Sequence, residues 1–243
     1  MKVNTKFLIV SMFILTNVFG QNWGTKKIDF TKIIKTETRT TPQYEAIKIS
    51  SFFETEIIKG TEGQIIITAD EAILPYIITE VKNETLHISL ENGIYIPYKY
   101  QNKIKILIPV ESINSLQSSG SGTIFSKAIL KLDIFKLALS GSGDIRLQLD
   151  SQQVEVQLSG SGNILLEGNC QDFIGKISGS GNIKTPLLTT QNATVAISGS
   201  GNINVNCTNA LDAKISGSGN ISYSGNPKQI ESKVSGSGNI KQR

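Results

Sequence analysis

A single histidine, a single tryptophan and only two cysteines occur in 243 residues. One imidazole cannot supply paired acid–base groups or a His-rich zinc site, and two thiols cannot build a disulfide framework. Charged residues reach only 18%, too few for a disordered tail or a coiled coil, while hydrophobic residues at 39% suffice for a buried core. The formal net charge of +4 falls to +2 once Lys2 and Lys6 are set aside, so the basic footprint of a nucleic-acid binder is missing. These shortages predict no catalytic residue, no metal site, no cofactor and no nucleic-acid partner. What the chain has in quantity is glycine, 22 residues, most of them arranged with a period.

Lys2 and Lys6 precede the apolar stretch from Phe7 to Phe19. That length falls short of a membrane span and fits a secretory core, with Val18 and Gly20 as the small residues before a cleavage point. Residues 1–20 are read as a signal peptide cut before Gln21, and residues 21–43 as a lead segment. No cysteine stands directly after the apolar core and no second stretch of spanning length occurs, so neither a lipoprotein anchor nor a transmembrane anchor is expected in the mature chain. The expected location is outside the cytoplasm, in the periplasm, on the outer surface or in the medium.

The pattern Ser-Gly-Ser-Gly-x-Ile begins at Ser119, Ser140, Ser159, Ser178, Ser198, Ser216 and Ser235, with offsets of 18 to 21 residues. A period near 19 without helix-favouring composition predicts a β-solenoid with one coil per repeat over residues 119–243. Alternation supports strands: Val154, Val156 and Leu158 precede one motif as Phe135, Leu137 and Leu139 precede another. The apolar side chains and the glycines then point inward, and Ser159, Ser161 and Asn163 point outward. The fold class predicted is all-β, a single-stranded right-handed β-helix, the hand following the preference of parallel crossovers. Cys170 and Cys207 fall at similar coil positions two rungs apart. At about 4.8 Å per rung their separation exceeds the reach of a disulfide, so two buried free thiols are expected.

Residues 44–118 alternate less regularly. Ile65 to Thr68, Leu86 to Leu90 and Lys103 to Ile108 read as strands between turn signals at Gly60 and Asn92-Gly93. Most of the aromatic residues outside the leader lie before the repeats, which predicts an irregular β-helical half that closes one end of the stack.

Four stretches in this order carry a resemblance: Tyr44 to Ser50, Gly63 to Asp70, Leu74 to Leu86, and Lys103 to Pro109 leading into the first Ser-Gly-Ser-Gly. Together they resemble the GIN domain family, labelled as the head domain of autotransporter adhesins in Bacteroidetes-type bacteria. The resemblance covers about residues 44–240. It implies an exported β-helix with no assigned catalytic residue. Only Lys241, Gln242 and Arg243 follow Ile240, so no translocator barrel or stalk is expected in this sequence.

The most informative polar feature is the variable motif position, occupied by Thr123, Asp144, Asn163, Asn182, Asn202, Asn220 and Asn239. In register, these side chains are expected to hydrogen-bond along the stack as a ladder. The alternative is a flat Ser and Asn face that binds sugar hydroxyls or ice through many weak contacts. Tyr95, Tyr98 and Tyr100 offer either glycan stacking or cover for the aromatic end. The Gly-Ser-Gly runs lack the third glycine of a dinucleotide loop, and their period does not fit a calcium repeat. His87 shares the outward parity of its strand. Asp133, Asp144, Asp150, Glu155, Glu167 and Asp172 would be the carboxylates of a polysaccharide lyase or hydrolase, but they share no column. The function expected is an exported structural or interaction protein of the cell envelope, its partner a surface glycan or another envelope protein.

Overall fold

The computed structural model describes residues 26–101 and 103–243, so the signal-peptide assignment lies outside the described residues. Ten strands precede the regular coils: β1 (Lys26–Lys27), β2 (Ile34–Thr40), β3 (Ala46–Ser50), β4 (Glu54–Lys59), β5 (Gln64–Asp70), β6 (Ile77–Lys82), β7 (Thr85–Leu90), β8 (Ile94–Tyr95), β9 (Lys105–Val110) and β10 (Ser115–Gly120). Five long bent strands follow, β11 (Thr123–Gly141), β12 (Asp144–Gly160), β13 (Asn163–Gly179), β14 (Asn182–Gly199) and β15 (Asn202–Gly217). The last coils are split into β16 (Asn220–Ser224), β17 (Gln229–Gly236) and β18 (Asn239–Gln242). Strand makes up 72% and helix 3%, which leaves the packing to a β-solenoid of about 7 turns with coils about 19 residues apart.

Successive coils pair in parallel with motif on motif: Ser140 opposes Ser159, Ser159 opposes Ser178, and Ser178 opposes Ser198. The motif isoleucines therefore stack into one inward column, in which Ile124, Ile145, Ile164, Ile183, Ile203 and Ile221 are all buried. Phe135, Val154, Phe173, Ala193 and Leu211 form a second buried column on the strand before the corner. The offsets vary, yet the motifs stay aligned. Register shifts between Phe125 and Ile129, Leu165 and Glu167, and Thr185 and Thr189 absorb the length differences in the variable part of the coil.

The corner explains the glycines. Gly160 has φ +124, and a Cβ there would lie 2.4 Å from the Gly141 carbonyl oxygen of the preceding coil. Gly162 has an ordinary φ, but a Cβ would lie 2.4 Å from the Gly143 oxygen and 2.7 Å from a Leu139 methyl. The first glycine is needed for conformation and contact, the second for contact alone. Close approach lets Ser161 and Gly162 both donate their N–H groups to the Gly141 oxygen, each at 3.0 Å, and the same pairing recurs at the corners of Ser142, Ser180, Ser200, Ser218 and Ser237.

The first half extends the same ladder in a different order. β3 pairs in parallel with β10 on one side and β7 on the other, and β4 likewise lies between β11 and β9. The chain thus lays down the second rung first and then returns beneath it. Antiparallel strands finish that end: β6 against β7, β5 against β9, and β2 against β5. Residues 44–118 combine these parallel rungs with one hairpin, β6 to β7 across Asn83-Glu84, both with positive φ, while β5 returns beside β9 and not beside β4.

Cys170 aligns with Thr190 and Thr190 with Cys207, so the thiols sit two rungs apart, free and buried. Burial pushes the Cys170 thiol up to about 11, despite bonds from the backbone, and its Sγ lies 3.0 Å from the Asp172 carbonyl oxygen. A thiol held protonated in this way is a packing group, not a nucleophile.

Candidate functional site

Two outward columns flank the glycine corner. The column after the corner is a row of hydrogen-bonded side chains. Asn163 Nδ2 donates to Asp144 Oδ1, Asn182 to Asn163 and Asn202 to Asn182, each at 2.9 Å, and Asn220 donates to Asn202 at 3.1 Å. Every amide points the same way, so the dipoles add and their N–H ends run down to the Asp144 carboxylate. Arg146 lies 3.8 Å from the other oxygen of Asp144. Thr123 and Asn239 share the column by register at its two ends. Asp144, Asn163 and Asn182 are half-buried, whereas Asn202, Asn220 and Asn239 are exposed.

A second ladder was not anticipated. Asn192 Nδ2 donates to Asp172 Oδ1 at 2.8 Å, and Asn209 Nδ2 donates to Asn192 Oδ1 at 2.9 Å. Asp172 and Asn192 both stand six residues before the next motif and are in register, whereas Asn209 stands seven before it, beside Ala210, the residue aligned with Asn192. Only the aligned coils reveal them.

The column before the corner is serine. Ser140, Ser159, Ser178, Ser198, Ser216 and Ser235 are exposed and aligned, and the same column continues through Ser119 to Ser50 and Ser89. Beside it, the outward residues two positions earlier are Ala138, Gln157, Lys176, Ala196, Lys214 and Lys233. Between these two rows runs an external trough of about 740 Å³, spanning the coils from Ala138 to Ser235. Its floor is the backbone of Leu139, Leu158, Ile177, Ile197 and Ile215, whose side chains are buried on the other side. Small side chains and lysine stems make the lining mainly apolar, with hydroxyls along one wall and ammonium groups along the other. Lys176 is 3.6 Å from Glu155 and Lys214 is 2.8 Å from Asp212, and both acids lie on the side away from the serines.

The tyrosines divide. Tyr100 stacks on Phe30 with ring centroids 3.8 Å apart and planes 4° from parallel. Tyr95 and Tyr98 are exposed, at 54% and 79%. His87 stands in the outward column of β7 opposite Lys48. The carboxylates are dispersed: Asp144 and Asp172 end ladders, and Glu155 faces Lys176. Among the described residues no group of three or more His, Cys, Asp or Glu side chains is placed to hold a metal ion, and no helix is long and apolar enough to cross a membrane.

Solved structures share this architecture. An adhesin-labelled protein of Bacteroides fragilis NCTC 9343 is 25% identical, superimposes with a TM-score of 0.83, and covers 90% of this chain and 100% of its own. A protein of Parabacteroides distasonis ATCC 8503 described as lipid binding is also 25% identical, with a TM-score of 0.72 and the same coverage. An adhesin-labelled protein of Parabacteroides merdae ATCC 43184, 20% identical with a TM-score of 0.75 over 89% of this chain and 99% of its own, shares the fold. No curated protein matches the chain. None of these descriptions is that of an enzyme. A family model matches residues 43–227, three quarters of the sequence and the whole stack from Tyr44 to the sixth motif, and the chain therefore belongs to the family described as "Putative auto-transporter adhesin, head GIN domain".

Proposed function

We propose that this chain is an exported, non-catalytic interaction module of the cell envelope that holds an elongated acidic polysaccharide in the serine trough. The observation that carries the reading is the trough itself, which repeats the same chemistry over several coils. A single serine hydroxyl binds a sugar weakly. A row of them at about 4.8 Å intervals lets one polymer gain from many contacts at once. Sugar rings present apolar faces to the apolar floor, and Lys176, Lys214 and Lys233 favour a chain bearing carboxylates or sulfates. Dispersal of the acidic side chains argues against a lyase or hydrolase, which needs carboxylates within one cleft.

Binding of polygalacturonate and of neutral dextran by the purified protein, at low and high salt, tests this. Preference for the acidic polymer, weakened by salt and by Lys176→Glu with Lys214→Glu, is expected. Equal binding of both polymers, or binding unchanged in the double variant, overturns it. A second reading is favoured by the apolar floor and by the lipid-binding description of the Parabacteroides distasonis protein. In that reading the trough seats an acyl chain with its anionic head on a lysine. Saturable uptake of a fluorescent fatty acid, displaced by unlabelled fatty acid and not by polysaccharide, would select it.

A further inference from the structure

The coil containing β17 differs from every coil beneath it. Ile230 and Val234 take the positions that are fully buried elsewhere, yet they are 48% and 43% exposed, whereas Leu211 and Ile215 directly below are 2% and 3% exposed. Among the described residues nothing stacks on this strand. Its backbone parity follows from the ladder. Lys136 donates its N–H down to the Asn114 oxygen at 2.9 Å, and Lys136 corresponds through the register to Glu231. The outward residues thus bond to the preceding coil, and the inward residues Ile230, Ser232 and Val234 aim their N–H and C=O groups at the open edge.

The sequence along that edge is Ile230-Glu231-Ser232-Lys233-Val234. It is self-complementary when run antiparallel to itself. With a two-fold axis at Ser232, Ile230 lies opposite the partner's Val234, Ser232 opposite the partner's Ser232, and Glu231 opposite the partner's Lys233. The residues with free backbone groups then become the hydrogen-bonded pairs. Glu231 and the partner's Lys233 become a non-hydrogen-bonded pair, the arrangement in which side chains approach most closely. A further parallel strand of the same sequence would do the opposite. The existing ladder already stacks Glu231 on Asp212 and Lys233 on Lys214, like on like, and another parallel rung would extend that repulsion.

We infer that β17 is a dimerisation edge and that its occupant is a second copy of this chain, paired antiparallel about Ser232. The two solenoids join end to end, the sheet continues across the axis, and Ile230 and Val234 become core. An open edge with exposed inward side chains is otherwise an invitation to unregulated strand addition.

Analytical ultracentrifugation of the purified full-length protein should find a dimer at micromolar concentration. Glu231→Lys places two like-charged pairs across the axis and should weaken the dimer at least about tenfold. Adding Lys233→Glu restores opposite charges and should restore the dimer, and circular dichroism should show all three proteins equally folded because both side chains are exposed. An oxidised Ser232→Cys variant should cross-link to itself, since the two Cα atoms face each other within disulfide reach. A monomeric wild-type protein, a dimer indifferent to the single reversal, a double reversal that fails to rescue, or no cross-link overturns the proposal.

Discussion

Gly63 in the first half and Gly160 in the repeats both have positive φ, +116 and +124, yet their surroundings differ. A Cβ on Gly63 would meet nothing nearer than the Thr41 oxygen at 3.3 Å. On Gly160 it would lie 2.4 Å from one backbone oxygen and 3.1 Å from a backbone nitrogen of the coil below. At Gly63 the first half uses glycine to turn, with room around it. The repeats use glycine to bring backbone against backbone, so the rung spacing itself depends on the absence of a side chain.

That difference gives the largest expected effect. Gly160→Ala should cost about 3 kcal/mol or more, because backbone strain and a clash that no side-chain rotation relieves act together. Gly63→Ala should cost only about 1–2 kcal/mol, the strain of the φ alone. Urea unfolding of the two variants measures both. Equal losses would remove the distinction between turning and stacking.

Asp70 probes the other side of the comparison. Its side chain is buried in the first half, accepting from Thr31 N at 3.2 Å, Thr31 Oγ1 at 3.0 Å, Lys32 N at 2.7 Å and Ala72 N at 3.0 Å. Burial by itself raises the carboxyl, but the backbone donors of Ala72, Lys32 and Thr31 together with the Thr31 hydroxyl outweigh it and hold Asp70 below the usual range. A depressed carboxylate stabilises the fold above its unfolded value of about 3.9 and loses that contribution as pH falls through the lower folded value. Asp70→Asn should cost about 1–3 kcal/mol at neutral pH and flatten the loss below pH about 4. Hydrogen exchange at low pH should then open strands β2 and β5 of the native protein before the coils β12 to β15.

The coils were legible in the sequence because each motif fixes both a corner and a parity. One aligned pair, such as Ile145 on Ile164, implies the others. The Asp144 to Asn220 ladder followed from the same register. The trough did not, since the sequence places Ser159 outward but does not show the hollow that the aligned coils form beside it. The second ladder was hidden because Asn209 stands one residue off the offset that Asp172 and Asn192 share, so only the first two fall in one column of the repeat. The crossed order of β3, β7 and β10 was hidden for another reason: their pairing is non-local, and no repeated residue marks which strand lies above which.

Thr55 sharpens the comparison with a gain instead of a loss. It stands in the isoleucine column between Ile106 and Ile124, fully buried, and its Oγ1 has no hydrogen-bond partner among the described residues. Thr185, also fully buried in the repeats, donates to the Asn204 oxygen at 2.9 Å. Replacing an unpaired hydroxyl by a methyl of the same shape removes a desolvation penalty, whereas replacing a paired one strands its acceptor. Thr55→Val should therefore stabilise by about 1 kcal/mol and Thr185→Val should destabilise by a similar amount, read from paired denaturant melts.

The smallest effect concerns how the two halves hold one and the same column. Below Thr123 the ladder position is taken by Glu54 and then Lys105, an exposed ion pair at 3.3 Å. Above it the amides run from Asp144 to Asn220. Removing Asn182 frees the Oδ1 of Asn163 and the Nδ2 of Asn202, but all three positions are at least partly open and water can replace the lost bonds. Asn182→Ala should thus cost less than about 1 kcal/mol. Breaking Lys105–Glu54 should cost no more, since exposed pairs are worth about 0–1 kcal/mol. Salt separates the two: added sodium chloride should erase the coupling measured by a double-mutant cycle on Glu54 and Lys105 and leave the cycle on Asn163 and Asn182 unchanged. If the amide cycle also collapses with salt, the ladder draws its strength from the Asp144 charge at its foot, and Asp144→Asn should then abolish coupling at Asn182 although two rungs separate them.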